Sequence, residues 1–248
     1  MSVKSEISSQ YLDEVKEQHA NLQYREPPRV LVTGAQGQRS IGREIIKHLN
    51  GSVVTVNNDD VKEVWDPEIF DDIDTLIMCH GQSHLDWFEE ADLFKVYEII
   101  TVNLFGTFNV AQTFVKATID KPYRKRIISI GSMAYKAVLN GSAAYCASKA
   151  GQAHLIKCLA WELAPKGYDV YCIHPSNTLD TPMSDQTIAG LKRYRNMSTE
   201  DAICYWNDSM IRDESLTKAE IARVITSIID NKLGYLSGCN IELSGGQR

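Results

Sequence analysis

From residue 29 onward the hydrophobic positions of the chain keep changing rhythm. Short runs dense in Val and Ile have strand length and little polar interruption: RVLVT (29–33), SVVTV (52–56), DTLIMC (74–79), RIISI (126–130), DVYCIH (169–174) and GCNIEL (238–243). Between them lie stretches with helical spacing, from about Ile41 to Leu49, across VNLFGTFNVAQTFVKAT (102–118), and from YCASK (145–149) to about Ala164. Apolar strands alternating with helices predict an α/β fold, a doubly wound and mainly parallel sheet with helices on both faces. Residues 1–28 follow another pattern. Ile7, Tyr11, Val15 and Leu22 recur at a loose helical spacing that REPP (25–28) breaks, so 1–28 is expected to be an appended helical extension, docked or mobile. Residues 29–248 then form one domain.

Composition narrows the function more than the fold. A chain of 248 residues with 44% hydrophobic content can bury one sizeable core. Its 26 Lys and Arg against 32 Asp and Glu leave a net charge of -6, which gives no broad positive field for nucleic acid or for an anionic membrane. The start, MSVKSEISSQYLDEVKEQ, carries charges where a secretory signal needs an apolar stretch, and the expected location is cytoplasmic. Cys79, Cys146, Cys158, Cys172, Cys204 and Cys239 include no C-x-x-C pair, so neither a metal site nor a disulfide framework is expected, and they read as reduced packing thiols.

Two short stretches carry candidate chemistry. RVLVT runs into GAQGQRSIGREIIKHL (34–49), a glycine-bearing turn opening a helix, where a helix N-terminus can hold a pyrophosphate. Gly34 would permit the tight turn, and Gly42 would let helix, strand and phosphate approach one another; a purely structural turn is the alternative. In YCASK, Tyr145 and Lys149 stand four residues apart, on one face of a helix. An ammonium beside a phenol favours the phenolate and would lower its pKa from about 10, making a proton donor and acceptor usable near neutrality. Two ordinary surface residues would give the same letters.

With TGAQGQRSIG, GSM (131–133) and YCASK in this order, the chain resembles the short-chain dehydrogenase/reductase family over residues 29–248, in its non-extended type with a shortened stretch between the second and fourth strands. Ser132 precedes Tyr145 by thirteen positions at a strand end, as the family's serine does, and Asn103 in TVNLFGTFNV matches its helix asparagine. In IHPSNTLDTPM, Pro175 matches the family's Pro-Gly loop, although Ser176 replaces the glycine and Thr181 falls one position late. The closing YLSGCNIELSGGQR is similar to the family's last strand. There are departures. The first turn has two more residues between Gly34 and Gly42 than the common pattern, like that of bacterial enoyl-acyl-carrier-protein reductases. The motif after the fourth family strand reads MCHG, which keeps Gly81 but brings in Cys79 and His80, the latter read as a packed histidine beside the cofactor. Residues 57–74 leave no room for the family's second helix, as in dTDP-rhamnose-forming reductases, and by that analogy Glu63 and Val64 would border the adenine.

The resemblance implies a Rossmann-type fold and an NAD(P)(H)-dependent oxidoreductase moving hydride between nicotinamide and a carbonyl or secondary alcohol. Tyr145 would be the general acid or base, Lys149 would lower its pKa and bind the nicotinamide ribose, Ser132 would donate to the reacting oxygen, and Asn103 would hold a proton-relaying water. Cofactor contacts would come from Gly34, Gln36, Arg39, Ser40, Ile41, Gly42, Asn57, Glu63, Val64, Gly81, Tyr145, Lys149, Pro175, Thr178 and Thr181. NAD and NADP stay open: Arg39 could pair with a 2'-phosphate, whereas Asn57 and Asn58 accept either coenzyme and Asp59 and Asp60 would repel the phosphate. A homotetramer or homodimer built on the helices of Asn103 and Tyr145 is implied. Residues 180–215 would form the substrate lid, in which KRYR (192–195) could meet an anion or simply be a solvated face. Two further readings stay open, a dinucleotide-binding regulatory or structural subunit without turnover, and a nucleotide-sugar-modifying enzyme of the extended branch.

Overall fold

The computed structural model describes residues 17, 19, 21–57, 60–63, 65–208, 211–212 and 214–246. Six strands, β1 (Arg29–Thr33), β2 (Ser52–Val56), β3 (Thr75–Met78), β4 (Lys125–Ile130), β5 (Tyr168–Pro175) and β6 (Asn240–Leu243), form one sheet in the order β2-β1-β3-β4-β5-β6. Every neighbouring pair is parallel. The chain leaves β1 toward β2 and later returns to β3 on the other side of β1. A crevice therefore opens at the strand C-termini, where ligands bind in open α/β sheets.

Both faces are apolar because the four inner strands, β1, β3, β4 and β5, are buried almost throughout. Leu31, Leu76, Met78, Ile127, Val170 and Cys172 point to one layer, built with α3 (Gly106–Thr118) and α4 (Ala143–Leu163). Val30, Val32, Ile77, Ile128, Ile130 and Ile173 point to the other, built with α1 (Ile41–His48) and α7 (Lys218–Asp230). The sequence pattern missed α7, although Thr217 and Glu220 form a reciprocal capping box at its start. It also missed α2 (Leu93–Ile100), capped by Asp92, which joins α3 through a π-helical turn at Thr101–Phe105.

The shortened crossover is as expected. Among the described residues between β2 and β3, two short 3-10 turns occur, Asp60–Lys62 and Pro67–Phe70, and no longer helix. Their side chains stand in for a helix: Trp65 stacks on Phe70 at 5.5 Å, and Phe70 meets Phe114 edge-on at 5.5 Å, with Val61 and Phe70 fully buried in the α3–α4 layer. Burial of such side chains stabilises by about 1.5–3 kcal/mol each.

The helix expected from Ile7, Tyr11 and Val15 lies outside the described residues. Residues 21–28 cross the N-terminal ends of the strands as a strap. Arg124 N–H donates to the Gln23 carbonyl at 2.9 Å, the Arg126 guanidinium lies 3.6 Å above the Tyr24 ring, and the Tyr24 hydroxyl bonds Asp169. Among the described residues, no helix is long and apolar enough to cross a membrane, and no group of three or more His, Cys, Asp or Glu could hold a metal ion. The six thiols are free, but Cys158, Cys204 and Cys239 are exposed, so packing accounts only for the others.

Candidate active site

The glycine turn closes against the end of β3. Gly34 has φ +68°, and a Cβ there would sit 2.6 Å from the His80 nitrogen, so a side chain is excluded on both counts. At Gly42 a Cβ would lie 3.0 Å from the Gly34 carbonyl oxygen, which keeps α1 close to the turn. Ser40 caps α1, its Oγ accepting from Arg43 N–H at 3.1 Å. The start of α1 thus faces a cavity lined by Gly34, Ser40, Ile41, Gly81, Ser132, Tyr145, Lys149, Pro175, Thr178 and Thr181, all residues expected at the site.

Several expected contacts do not join this lining. Gln36 and Glu63 are exposed, Asn57 follows β2, and Val64, Asn58 and Asp59 lie outside the described residues. Arg39, the proposed 2'-phosphate partner, instead reaches the lid: its guanidinium pairs with Asp185 and stands 3.7 Å from Asp180, which also takes the Lys218 ammonium at 2.7 Å. The stretch expected to be that lid contains α5 (Pro182–Arg195) and α6 (Thr199–Asn207). In KRYR, Lys192 donates to Thr199, Arg193 lies over Tyr194 and Arg195 over Tyr205.

Asn103 is fully buried in the π-helical turn. Its Oδ1 accepts from Gln82 N–H at 2.8 Å, and its Nδ2 donates to the Gln82 carbonyl and to Ser148 Oγ, each at 2.9 Å. The side chain expected to hold a water is thus committed to fastening the loop after β3 onto α4. Ser132 Oγ accepts from Ala134 N–H at 3.2 Å and keeps its own proton for a partner in the cavity. Behind it, His174 on β5 bonds the Ser132 backbone through Nδ1 at 3.0 Å.

Tyr145 and Lys149 share the buried face of α4, with the Lys149 nitrogen 5.9 Å from the Tyr145 ring centroid. The expected lowering of the phenol pKa does not occur in this arrangement. Burial pushes Tyr145 up to about 12, against an opposing pull from Ser132, and the hydroxyl faces the Met183 sulfur at 3.7 Å. Burial also pushes Lys149 down to about 8. The ammonium donates to the Ile130 carbonyl at 3.2 Å and to Gln152 Oε1 at 2.8 Å, so its charge is directed away from the phenol. His80 is buried and neutral, its pKa pushed down to about 3, with Thr33 and Thr107 on its two ring nitrogens; it is the packed histidine that was expected.

Met183 and Gln152 were not anticipated. Gln152 had one legible sign: it lies seven positions after Tyr145 and three after Lys149, so a carboxamide sits on the helix face that must be buried. For Met183 the sequence holds no comparable sign.

The sequence profile described as short chain dehydrogenase matches residues 57–192, more than half of the chain, and the protein belongs to that family. The chain is 27% identical over 173 residues to a vibriobactin-specific 2,3-dihydro-2,3-dihydroxybenzoate dehydrogenase of Vibrio cholerae, a match covering 70% of this chain and 65% of that relative's length. It is 24% identical over 221 residues to the 3-oxoacyl-[acyl-carrier-protein] reductase of Haemophilus influenzae, covering 86% and 84%. Among solved structures, sorbitol-6-phosphate 2-dehydrogenase of Erwinia amylovora superimposes with TM-score 0.79 at 20% identity, over 88% of this chain and 99% of that one. Identity at that level speaks for a common fold.

Proposed function

We propose that this protein is an NAD(P)(H)-dependent oxidoreductase that transfers hydride between nicotinamide and a carbonyl or secondary alcohol. The observation that carries the reading is the joint lining of one cavity by the glycine turn, the start of α1, Ser132, Tyr145 and Lys149. The residues present suit a dinucleotide. Gly34 and Gly42 let the turn and the start of α1 close tightly beside the cavity, and Ser176 Oγ, on the same cavity, is buried without a hydrogen-bond partner among the described residues. An actinorhodin polyketide ketoreductase solved with NADPH (TM-score 0.77, 22% identity) and an NAD+-bound xylitol dehydrogenase (TM-score 0.78, 19% identity) share the fold, in keeping with either coenzyme.

The glycine turn and the α1 N-terminus would hold the pyrophosphate, and Pro175, Ser176 and Thr178 would border the nicotinamide. The bound coenzyme supplies or accepts hydride. Tyr145, protonated at neutral pH, donates its proton to the carbonyl oxygen in reduction and recovers it in oxidation. Ser132 donates a hydrogen bond to the same oxygen as negative charge builds on it. Lys149 would hold the nicotinamide ribose, while its ammonium, bonded to the Ile130 carbonyl and Gln152, leaves Tyr145 a protonated acid. The Met183 sulfur stands 3.7 Å from the phenol oxygen, so this flexible side chain would turn aside for a carbonyl to reach it.

Tyr145→Phe tests the assignment. With the carbonyl or alcohol that the wild type turns over, kcat is expected to fall at least about a thousandfold while coenzyme still binds. A rate like the wild type's rejects Tyr145 as the acid, and coenzyme binding without turnover across a broad carbonyl and alcohol panel identifies a non-catalytic dinucleotide-binding subunit instead.

A further inference from the structure

We propose that Gln152 is the positioning residue of Lys149: held in one orientation by two buried hydroxyls, its carboxamide presents its oxygen to the Lys149 ammonium and fixes both the place and the charge of that group. The inference deepens the oxidoreductase reading and takes its catalytic meaning from it.

The orientation follows from counting protons. Thr107 Oγ1 donates its only proton to the Asn103 carbonyl at 2.7 Å, one helical turn back. Toward Gln152 and His80, at 3.2 Å each, it can then only accept. The Gln152 group facing Thr107 is therefore the NH2, whose other proton goes to Ser129 Oγ at 3.0 Å on β4. That leaves Oε1 directed at Lys149, 2.8 Å from the ammonium. A reversed amide would set NH2 against NH3+ and leave its oxygen among hydroxyls. Both ends of the side chain thus select the same rotation.

The network extends further. Because Thr107 accepts, His80 carries its proton on Nε2, and its Nδ1 accepts from Thr33 Oγ1 at 2.7 Å. Thr33 in turn accepts from Cys79 N–H at 3.2 Å, and the residue after Thr33 is Gly34 of the glycine turn. Lys149, Gln152, Thr107, His80 and Thr33 form one buried chain in which each member fixes the next, linking the ammonium to the start of the cofactor cradle.

Electrostatics leave Gln152 as the principal side-chain support of that charge. The titratable groups facing Lys149 are Tyr145 on its own helix, Cys79 and His80 after β3, and Cys172 and His174 on β5. None is a carboxylate. The thiols stay protonated, because burial pushes Cys79 and Cys172 up to about 12, and the imidazole of His80 stays neutral. Against desolvation, the buried ammonium has two hydrogen-bonded acceptors, the Ile130 carbonyl and Gln152 Oε1.

The test reads Lys149 directly. In protein labelled with 13C at the lysine side chains, the Lys149 signal is assigned by its loss in Lys149→Met and followed against pH by NMR. Gln152→Leu, without the acceptor, is expected to lower the titration midpoint by roughly one pH unit, and Gln152→Glu to raise it by at least as much. The pH dependence of NAD(P)H affinity should move with it, in opposite directions for the two variants, which a merely structural role would not produce. If Gln152→Leu does not fold, the upward shift in Gln152→Glu decides alone. A Lys149 midpoint unchanged in a folded Gln152→Glu variant overturns the proposal even if the enzyme is active. Absence of turnover in the wild type overturns the oxidoreductase reading even if the midpoint moves.

Discussion

Lys149 keeps a positive charge in the interior with amide oxygens in place of a carboxylate, and its behaviour with pH follows from that. Burial holds its pKa near 8, below the 10.5 of an exposed lysine, so the ammonium is present below pH 8 and is lost as the pH rises through that value. If the ammonium holds the coenzyme ribose, NAD(P)H affinity measured by nucleotide fluorescence should weaken as the pH passes from about 7 to 9, and Lys149→Met should bind weakly with a flat profile. Stability carries the opposite sign. Between pH 8 and 10.5 the unfolded chain retains a proton that the folded chain has released, so this group favours folding increasingly across that window. Tyr145, held near 12 by burial, remains an acid throughout; an alkaline limb near pH 8 belongs to the lysine.

Among the elements, the strands, the glycine turn and the Y-x-x-x-K pair were legible because each is written within a few consecutive residues. The Gln152 network was not, since its meaning depends on Thr107 and Ser129, which lie 45 and 23 positions away. Nor was the pairing of Arg39 with Asp185, 146 positions apart, in which the glycine turn and the lid hold each other by charge. Because Arg39 is paired with Asp185 and Asp180, Arg39→Ala is expected to reduce catalytic efficiency alike with NADH and NADPH; a selective loss of about tenfold, roughly 1.4 kcal/mol, with NADPH alone would restore the 2'-phosphate contact. The segment from Asp60 to Phe70 replaces a family helix with two aromatic plugs. Phe70→Ala should cost about 3–5 kcal/mol in urea unfolding. A loss under about 1 kcal/mol would show that the plug does not support the sheet.

At the scale of the whole molecule, several large apolar side chains on α2, α3 and α4 are left exposed. Leu93, Phe94 and Tyr97 on α2 are 78%, 85% and 70% exposed, Phe105 and Phe108 are 53% and 46% exposed, and Trp161 on α4 is 86% exposed. Aromatic side chains grouped on neighbouring helices are what a self-association face requires. We expect a dimer or tetramer by light scattering at micromolar concentration, and Phe94→Glu should shift it toward monomer; a monomeric wild type removes the assembly. On the opposite side from the cavity, the strap at 21–28 meets the strand starts, whereas the cavity opens at the strand ends. The eight residues of β5 set these two sides about 26 Å apart. A fluorophore or surface linker joined ahead of Asn21 would therefore anchor the protein by its back, leaving the mouth of the cleft clear for substrate to diffuse in.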